Sequence, residues 1–381
     1  MRVRDVVEIG MGREARRMYG LGEVDIVPSR RTRSSKEVST AWQIDAYQME
    51  LPVMTHPTDA VVSPASAVEF SRLGGLAVLN GEGLWARHEN PEAAIAELRE
   101  IALEDVTGHR AVARLQELHR APIDRELLAA AVRRIRDEGG TVAVRVSPQH
   151  ARDLTPGLVA AGIDMLVVQG TIISAEHVSG EDEPLNLKDF IHGLDVPVIA
   201  GGVVDYKTAL HLMRTGAAGV IVGYGGVEGV TTTGSVLGME VHMATAIADA
   251  AAARRDYLDE TGGRYVHVLA DGDIYTSGDI ARAVACGADA VVLGPLLAGS
   301  LESPGRGVYW DSVSAHPKVP RGHVAEIDDE TELAPLAEVL EGPTSVPDGT
   351  RNLMGGLRRA MAKCGYSDVK GFQKVDLSVR P

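Results

Sequence analysis

The chain has 381 residues, of which 45% are apolar and two are cysteines, and its formal net charge is −15. That length suits one large domain or two modest ones. Two cysteines make neither a disulfide framework nor a cysteine-rich metal site, and the acidic balance disfavours nucleic acid, whose recognition needs a cationic surface. The apolar runs are too short to span a bilayer, and Met1-Arg2-Val3-Arg4-Asp5 shows no apolar signal stretch, so a cytoplasmic protein without membrane attachment is expected.

In chain order, short runs rich in β-branched residues fall at Leu51 to Thr55, Gly75 to Leu79, Thr141 to Val146, Met165 to Val168, Pro197 to Ala200, Gly219 to Val222, Val266 to Ala270 and Ala290 to Leu293. Most end at Gly, Pro or Asp, as strands do. Amphipathic helical patterns lie between them at Pro64 to Leu73, Arg125 to Glu138, Ala151 to Ala161, Tyr206 to Thr215, Glu240 to Asp259 and Ser277 to Ala285. Eight strands alternating with helices predict a closed parallel (β/α)8 TIM barrel, with an open doubly wound sheet as the alternative. An internal repeat favours the barrel: "VIAGGVVDYKTALHLMRTGAAGVIVG" and "VLADGDIYTSGDIARAVACGADAVVLG" both read strand, glycine turn, helix, Gly-Ala, strand. The whole of 1–381 is expected to form one barrel domain. Residues 89–138 are a charged helical insertion after the second strand. Residues 299–349, rich in Pro, Gly and acid, are a flap-like excursion after the eighth.

Ligand chemistry on such a barrel sits on the loops after the strands. The most glycine-rich of these, "VGYGGVEGVTTTG", follows the sixth strand and holds threonines and Glu228 but no thiol. Tyr309, Trp310 and His316 in the flap are candidates for ligand contact or for packing onto the rim.

Four long blocks, in order, resemble the IMP dehydrogenase/GMP reductase family, and most of all its actinobacterial IMP dehydrogenase-related branch. They are "EVDIVPSRRTRSSKEVSTAWQI", "LPVMTHPTDAVVSPASAVEFSRLGGLAVLN", "LADGDIYTSGDIARAVACGADAVVLGPLLAGSLESPG" and "NLMGGLRRAMAKCG". The regulatory CBS pair of many members has no counterpart, 89–138 being too short for it. The family oxidises its purine nucleotide through a cysteine on the loop after the sixth strand, passing hydride to a nicotinamide. In the family pattern "G-x-G-P-G-S-x-C-T-T-R" that cysteine position is Val230 here, which is not competent, while Thr232 matches the threonine of the water-handling step.

The resemblance further implies substrate contacts at Thr55, Asp59, Gly225, Glu228, Asp271, Gly272, Asp273 and Gly294. Glu228 and Asp273 replace a serine and a glycine of the family's phosphate cradle, and Pro295 replaces a serine that follows the eighth strand. Asp271 matches the ribose-binding aspartate, or caps a turn. NAD or NADP would meet Gln169, Gly170, Gly201 and Gly202, with Gln169 in place of an acid. The potassium site of the family, built from carbonyls of the cysteine loop, is in doubt. The water-activating Arg and Tyr are missing from "EGPTSVPDG". Together these expectations describe a family oxidoreductase of purine nucleotide metabolism, homotetrameric or octameric, whose usual cysteine-dependent IMP oxidation is weak or absent. The alternative is a non-catalytic nucleotide-binding or regulatory relative that assembles with other proteins.

Overall fold

A computed structural model describes residues 6–105, 107–171, 173–174, 184–226, 230–327 and 332–380. Eight parallel strands form its centre: β1 (Val53–Thr55), β2 (Val78–Asn80), β3 (Ala143–Val146), β4 (Met165–Gln169), β5 (Val198–Val203), β6 (Gly219–Gly226), β7 (His267–Gly272) and β8 (Ala290–Leu293). From β2 onward each pairs with the next, and β8 pairs with β1. The gap between β1 and β2 is bridged at Met54 and Leu76, where Leu76 N–H donates to Val53 O at 3.0 Å and Thr55 N–H to Leu76 O at 3.0 Å. The barrel is therefore closed, as the repeat implied, and the open-sheet alternative falls.

Strand side chains alternate between two apolar environments. Met54, Leu76, Val78, Met165, Val167, Ile199, Ile221, Leu269 and Val292 fill the barrel interior. Their neighbours Val53, Leu79, Leu166, Val168, Val220, Val222, Val268 and Leu293 pack outward under the helices. Burial on both faces is why these strands read as unbroken apolar runs.

The helices that cover the outer face include α1 (Pro64–Arg72), α4 (Arg125–Asp137), α5 (Ala151–Ala161), α7 (Tyr206–Met213), α9 (Met243–Thr261), α10 (Ser277–Cys286) and α13 (Leu353–Lys363). Because α4 packs between α1 and α5 as a barrel helix, the insertion proper is α2 (Pro91–Glu104) and α3 (His109–Leu118). The flap lies folded onto this insertion and the rim, with Gln116 Nε2 donating to His316 O at 2.9 Å. Among the described residues no helix is long and apolar enough to cross a membrane.

The amino-terminal end of the barrel is plugged by a hairpin, Trp42–Ile44 with Tyr47–Met49, whose Trp42 indole donates to Leu51 O at 2.8 Å. Beside it lies a buried polar knot. Asp289 accepts from Arg254 Nη1 at 2.6 Å, Tyr265 Oη at 2.7 Å and the Val268 N–H at 2.8 Å. Arg254 is 7% exposed and Asp289 2%, so removing one partner leaves an ion with no water to solvate it. Asp289→Ala is expected to lower stability by about 3–5 kcal/mol, read as a lower midpoint in urea unfolding. An unchanged midpoint would show that the knot is energetically idle.

Candidate functional site

The carboxyl ends of the strands bring together residues that are far apart in the chain. His56 follows β1 directly, and its N–H donates to Leu293 O of β8 at 2.7 Å, which aims the ring over the barrel axis. Its Nδ1 lies 3.1 Å from Asp271 Oδ2, at the end of β7, and its Nε2 lies 3.2 Å from Asp311 Oδ2, in the flap. Gln169, ending β4, donates Nε2–H to Asp271 Oδ2 at 2.9 Å. His56, Asp271 and Asp311 are respectively 4%, 2% and 2% exposed. Burial alone would pull the imidazole pKa down, but the charges of Asp271 and then Asp311 more than reverse it, to about 10. Burial likewise opposes ionisation of Asp311, yet the facing imidazolium and its hydrogen bonds hold its carboxyl below the usual range. At neutral pH the site is thus one cation between two anions.

Two glycines make room for this arrangement. Gly225 has φ +79°, and a Cβ there would stand 2.6 Å from His56 Cε1 and 2.9 Å from Asp311 Oδ2. A Cβ on Gly294 would stand 2.5 Å from Tyr309 Oη. Tyr309 is 1% exposed and its hydroxyl has no partner among the described residues. Burial and the neighbouring carboxylates push that phenol well above its ordinary pKa. Between His56, Gly225, Gly272, Gly294, Pro295 and Tyr309 lies a cavity of only about 10 Å³, room for roughly one water molecule. A cleft of about 630 Å³ opens beside it, lined by Tyr224, Thr233, Glu240, His242, Asp271 and Asp273 among others, with no Lys or Arg among the described residues of its wall.

The residues singled out in the sequence divide accordingly. Asp271, Gly272, Asp273, Gly225 and Gly294 do converge. Asp273 takes a left-handed φ of +52°, which turns it into the edge of both cavities. Thr55 stands apart: its Oγ1 accepts from Val78 N–H at 2.8 Å and ties β1 to β2. Asp59 also faces away, accepting from Leu84 N–H at 3.0 Å, and burial pushes its pKa up to about 7. Its other oxygen has no partner among the described residues.

Gly170, Gly201 and Gly202 are held by strand pairing, with Gly170 N–H donating to Gly201 O at 2.9 Å and Gly202 N–H to Gly170 O at 3.0 Å. A Cβ on Gly202 would meet Gly223 O at 2.0 Å, and one on Gly201 would meet Ile221 Cβ at 2.5 Å, so close strand approach accounts for both glycines.

Glu228 lies outside the described residues, as do the neighbouring carbonyls at 227 and 229 on which a potassium site would draw. The sixth strand is longer than the sequence suggests: 223–226 continue β6, with Gly223 registered on Asp271 and Gly226 on Gly272. Val230 is buried, and its carbonyl accepts from His323 N–H at 2.8 Å, while Thr232 N–H donates to Arg321 O at 2.8 Å. The flap is therefore stitched to the very turn where a nucleophile would stand.

Tyr309 and Trp310 pack against the rim as core residues, and the Trp310 carbonyl accepts from the Thr58 hydroxyl. Cys364 is buried and Cys286 half-buried. Burial pushes the Cys286 thiol up to about 12. Both cysteines close helices, α10 and α13, that run back from the rim, so neither supplies a thiolate there. Among the described residues, no three His, Cys, Asp or Glu are grouped to hold a metal.

The sequence reading passed over His56 and Asp311. The signal for His56 was its place one step past a strand's carboxyl end. Asp311 gave none, because nothing local says that the flap folds back.

The fold is thus a closed (β/α)8 barrel with a polar, glycine-lined constellation on its carboxyl rim. The chain matches the model of the IMP dehydrogenase/GMP reductase domain over residues 19–380, and it belongs to that family. It is 67% identical over 374 residues to an uncharacterized oxidoreductase of Mycobacterium bovis, covering 98% of this chain and 100% of the relative. An inosine-5′-monophosphate dehydrogenase of Aquifex aeolicus is 32% identical over 247 residues, 61% of this chain and 48% of that one. The crystal structure of an IMP dehydrogenase/GMP reductase-like protein from Corynebacterium glutamicum superposes with a TM-score of 0.93 at 57% identity, covering 99% and 98% of the two chains.

The His56 charge state has a pH signature. A histidine in the unfolded chain titrates near 6.5, the folded one near 10, so the stabilisation is complete below pH 6.5 and is lost as pH rises through 10. Stability measured by urea unfolding is expected to fall between neutral pH and pH 10. His56→Gln should lower it by about 3–5 kcal/mol at neutral pH and flatten that alkaline slope. Identical slopes in the two proteins would mean that His56 is neutral when folded.

Proposed function

We propose that this family member has given up thiol-dependent oxidation of IMP and instead binds a purine-class ligand without a 5′-monophosphate in the rim cleft. The observation that carries the reading is the filling of the nucleotide position. Asp271, matched to the ribose-binding aspartate, already receives His56 and Gln169, and Tyr309 closes the space over Gly294. A phosphate seated at Gly272 and Gly294 would also face Asp273 and Asp271. One carboxylate ~4 Å away costs on the order of 4 kcal/mol at an effective dielectric of about 20. The adjoining cleft offers carboxylates, hydroxyls and His242 and, among the described residues that line it, no guanidinium or ammonium, which suits an uncharged or cationic ligand.

A nicotinamide dinucleotide would fall to Gln169, Gly170, Gly201 and Gly202. Their backbone groups are committed to one another, and Gln169 Oε1 is a buried acceptor without a partner among the described residues. One open acceptor and no carboxylate do not fit a dinucleotide, and no hydride step is derived through these residues. The oxidoreductase character of the chain is that of its family, and ligand binding without turnover is the reading this disagreement favours.

A thermal-shift panel of IMP, XMP, GMP, inosine, NAD and NADP tests the proposal, since a ligand selective for the folded state raises its melting temperature. Inosine is expected to shift the protein more than IMP does. Val230→Cys is expected to gain no NADH-forming activity with IMP and NAD, because the missing thiol is only one of the changes. IMP-dependent NADH production by the variant, or tight IMP binding by the wild type, would overturn the reading.

A further inference from the structure

The segment that leads into the barrel lies across the carboxyl end of α13. Val27 N–H donates to Asp376 O at 2.9 Å, Arg33 N–H to Ala362 O at 3.0 Å and Ser39 N–H to Ser367 O at 2.8 Å. Gln373 Nε2 in turn donates to Ala288 O, just ahead of β8, at 2.8 Å, which sets this face at the amino-terminal end of the barrel. Residues 27–39 thus run along residues 359–376. Together the two stretches hold eight Lys or Arg against three acids, in a chain whose net charge is −15.

Two of the eight cations are occupied within the chain. Arg33 Nε donates to Gly365 O at 3.0 Å, and Lys370 Nζ stands 3.7 Å from the centroid of the Tyr265 ring. The other six, Arg30, Arg31, Lys36, Arg359, Lys363 and Lys374, are exposed and have no ion-pair partner among the described residues. Their neighbours Arg358 and Arg380 do have one, in Glu341 and Asp25. Arg359 and Lys363 are four apart and share a face of α13. The helix dipole accounts for a cation at Lys363, but Arg30, Arg31 and Lys36 stand on the crossing segment.

We propose that this basic face docks a short, extended acidic segment of another protein, at the end of the barrel away from the rim cleft. Guanidinium forks take carboxylates two oxygens at a time, and an acidic segment supplies the countercharge that this chain withholds. The patch is poorly suited to other anions. Tyr366 packs against Phe372 with ring centroids 5.9 Å apart, so no free aromatic is offered for bases to stack on. Val27, 39% exposed, is too little apolar surface to enter a bilayer interface. A long polyanion such as duplex DNA would overrun the patch onto a surface that is acidic overall.

Fluorescence anisotropy of a short dye-labelled polyglutamate peptide with the full chain tests the docking. Saturable binding is expected at low ionic strength, weakening as salt is added. Arg30→Glu/Arg31→Glu and, on the other stretch, Lys363→Glu/Lys374→Glu are each expected to weaken it about tenfold or more. Arg72→Glu/Arg125→Glu reverses as many charges at ion-paired arginines elsewhere on the surface and should bind like the wild type. All these positions are exposed, so the fold should survive, which circular dichroism checks. A DNA oligonucleotide of matching charge is expected to bind more weakly than the peptide. Absence of saturable peptide binding, indifference to both patch variants, an equal loss in the Arg72/Arg125 variant, or tighter binding of the oligonucleotide overturns the proposal.

Discussion

His56 carries the positive charge between two carboxylates that the fold has taken out of water. Asp271 comes from β7 and Asp311 from the flap, so the imidazolium joins the first strand, the seventh and the segment that covers them. An isolated carboxylate in that position would be heavily penalised, and the two together would repel. Their burial is tolerable because the ring faces both, one through each nitrogen. The position of the flap follows from this: lifting it would expose Asp311 but strand Asp271 and His56 with one charge fewer. The contacts of Arg321 and His323 with the 230–232 turn then act on a flap that is already drawn down.

The same pairing sets what the rim can receive. The barrel leaves a polar floor at the carboxyl ends of β1, β4, β7 and β8. Here the floor is occupied by the protein's own side chains, with Gly225 and Gly294 yielding space to His56 and Tyr309 rather than to a visitor. Open volume survives one step outward, between β6, β7 and α8 (Thr233–Leu237), where the wall is acidic.

Much of the fold was legible in the sequence because parallel strands buried on both faces leave continuous apolar runs, and all eight were found. Boundaries were less so. Leu76 reads as strand but serves as the bridge that closes the barrel, and Gly223 to Gly226 read as loop although they extend β6. At the site, motif alignment found Asp271, Gly272 and Asp273 because they sit in one contiguous block. It could not find the partner of Asp271, since His56 and Asp311 lie in separate segments and only tertiary folding joins them. Alignment also assigned ligand roles to Thr55, Asp59, Gly201 and Gly202. Their geometry adds another account, in which a hydroxyl ties two strands, a carboxylate receives the Leu84 N–H, and two glycines permit close strand approach.

Gln169 fixes which kind of side chain the rim accepts at that position. Its amide nitrogen rests 2.9 Å from Asp271 Oδ2, a separation at which a donor is welcome and a second carboxylate is not. Putting the family's acid back at 169 would set two anions edge to edge beside an imidazolium already shared with Asp311. His56 and Gln169 thus answer the same carboxylate, and a change at either alters what the other faces.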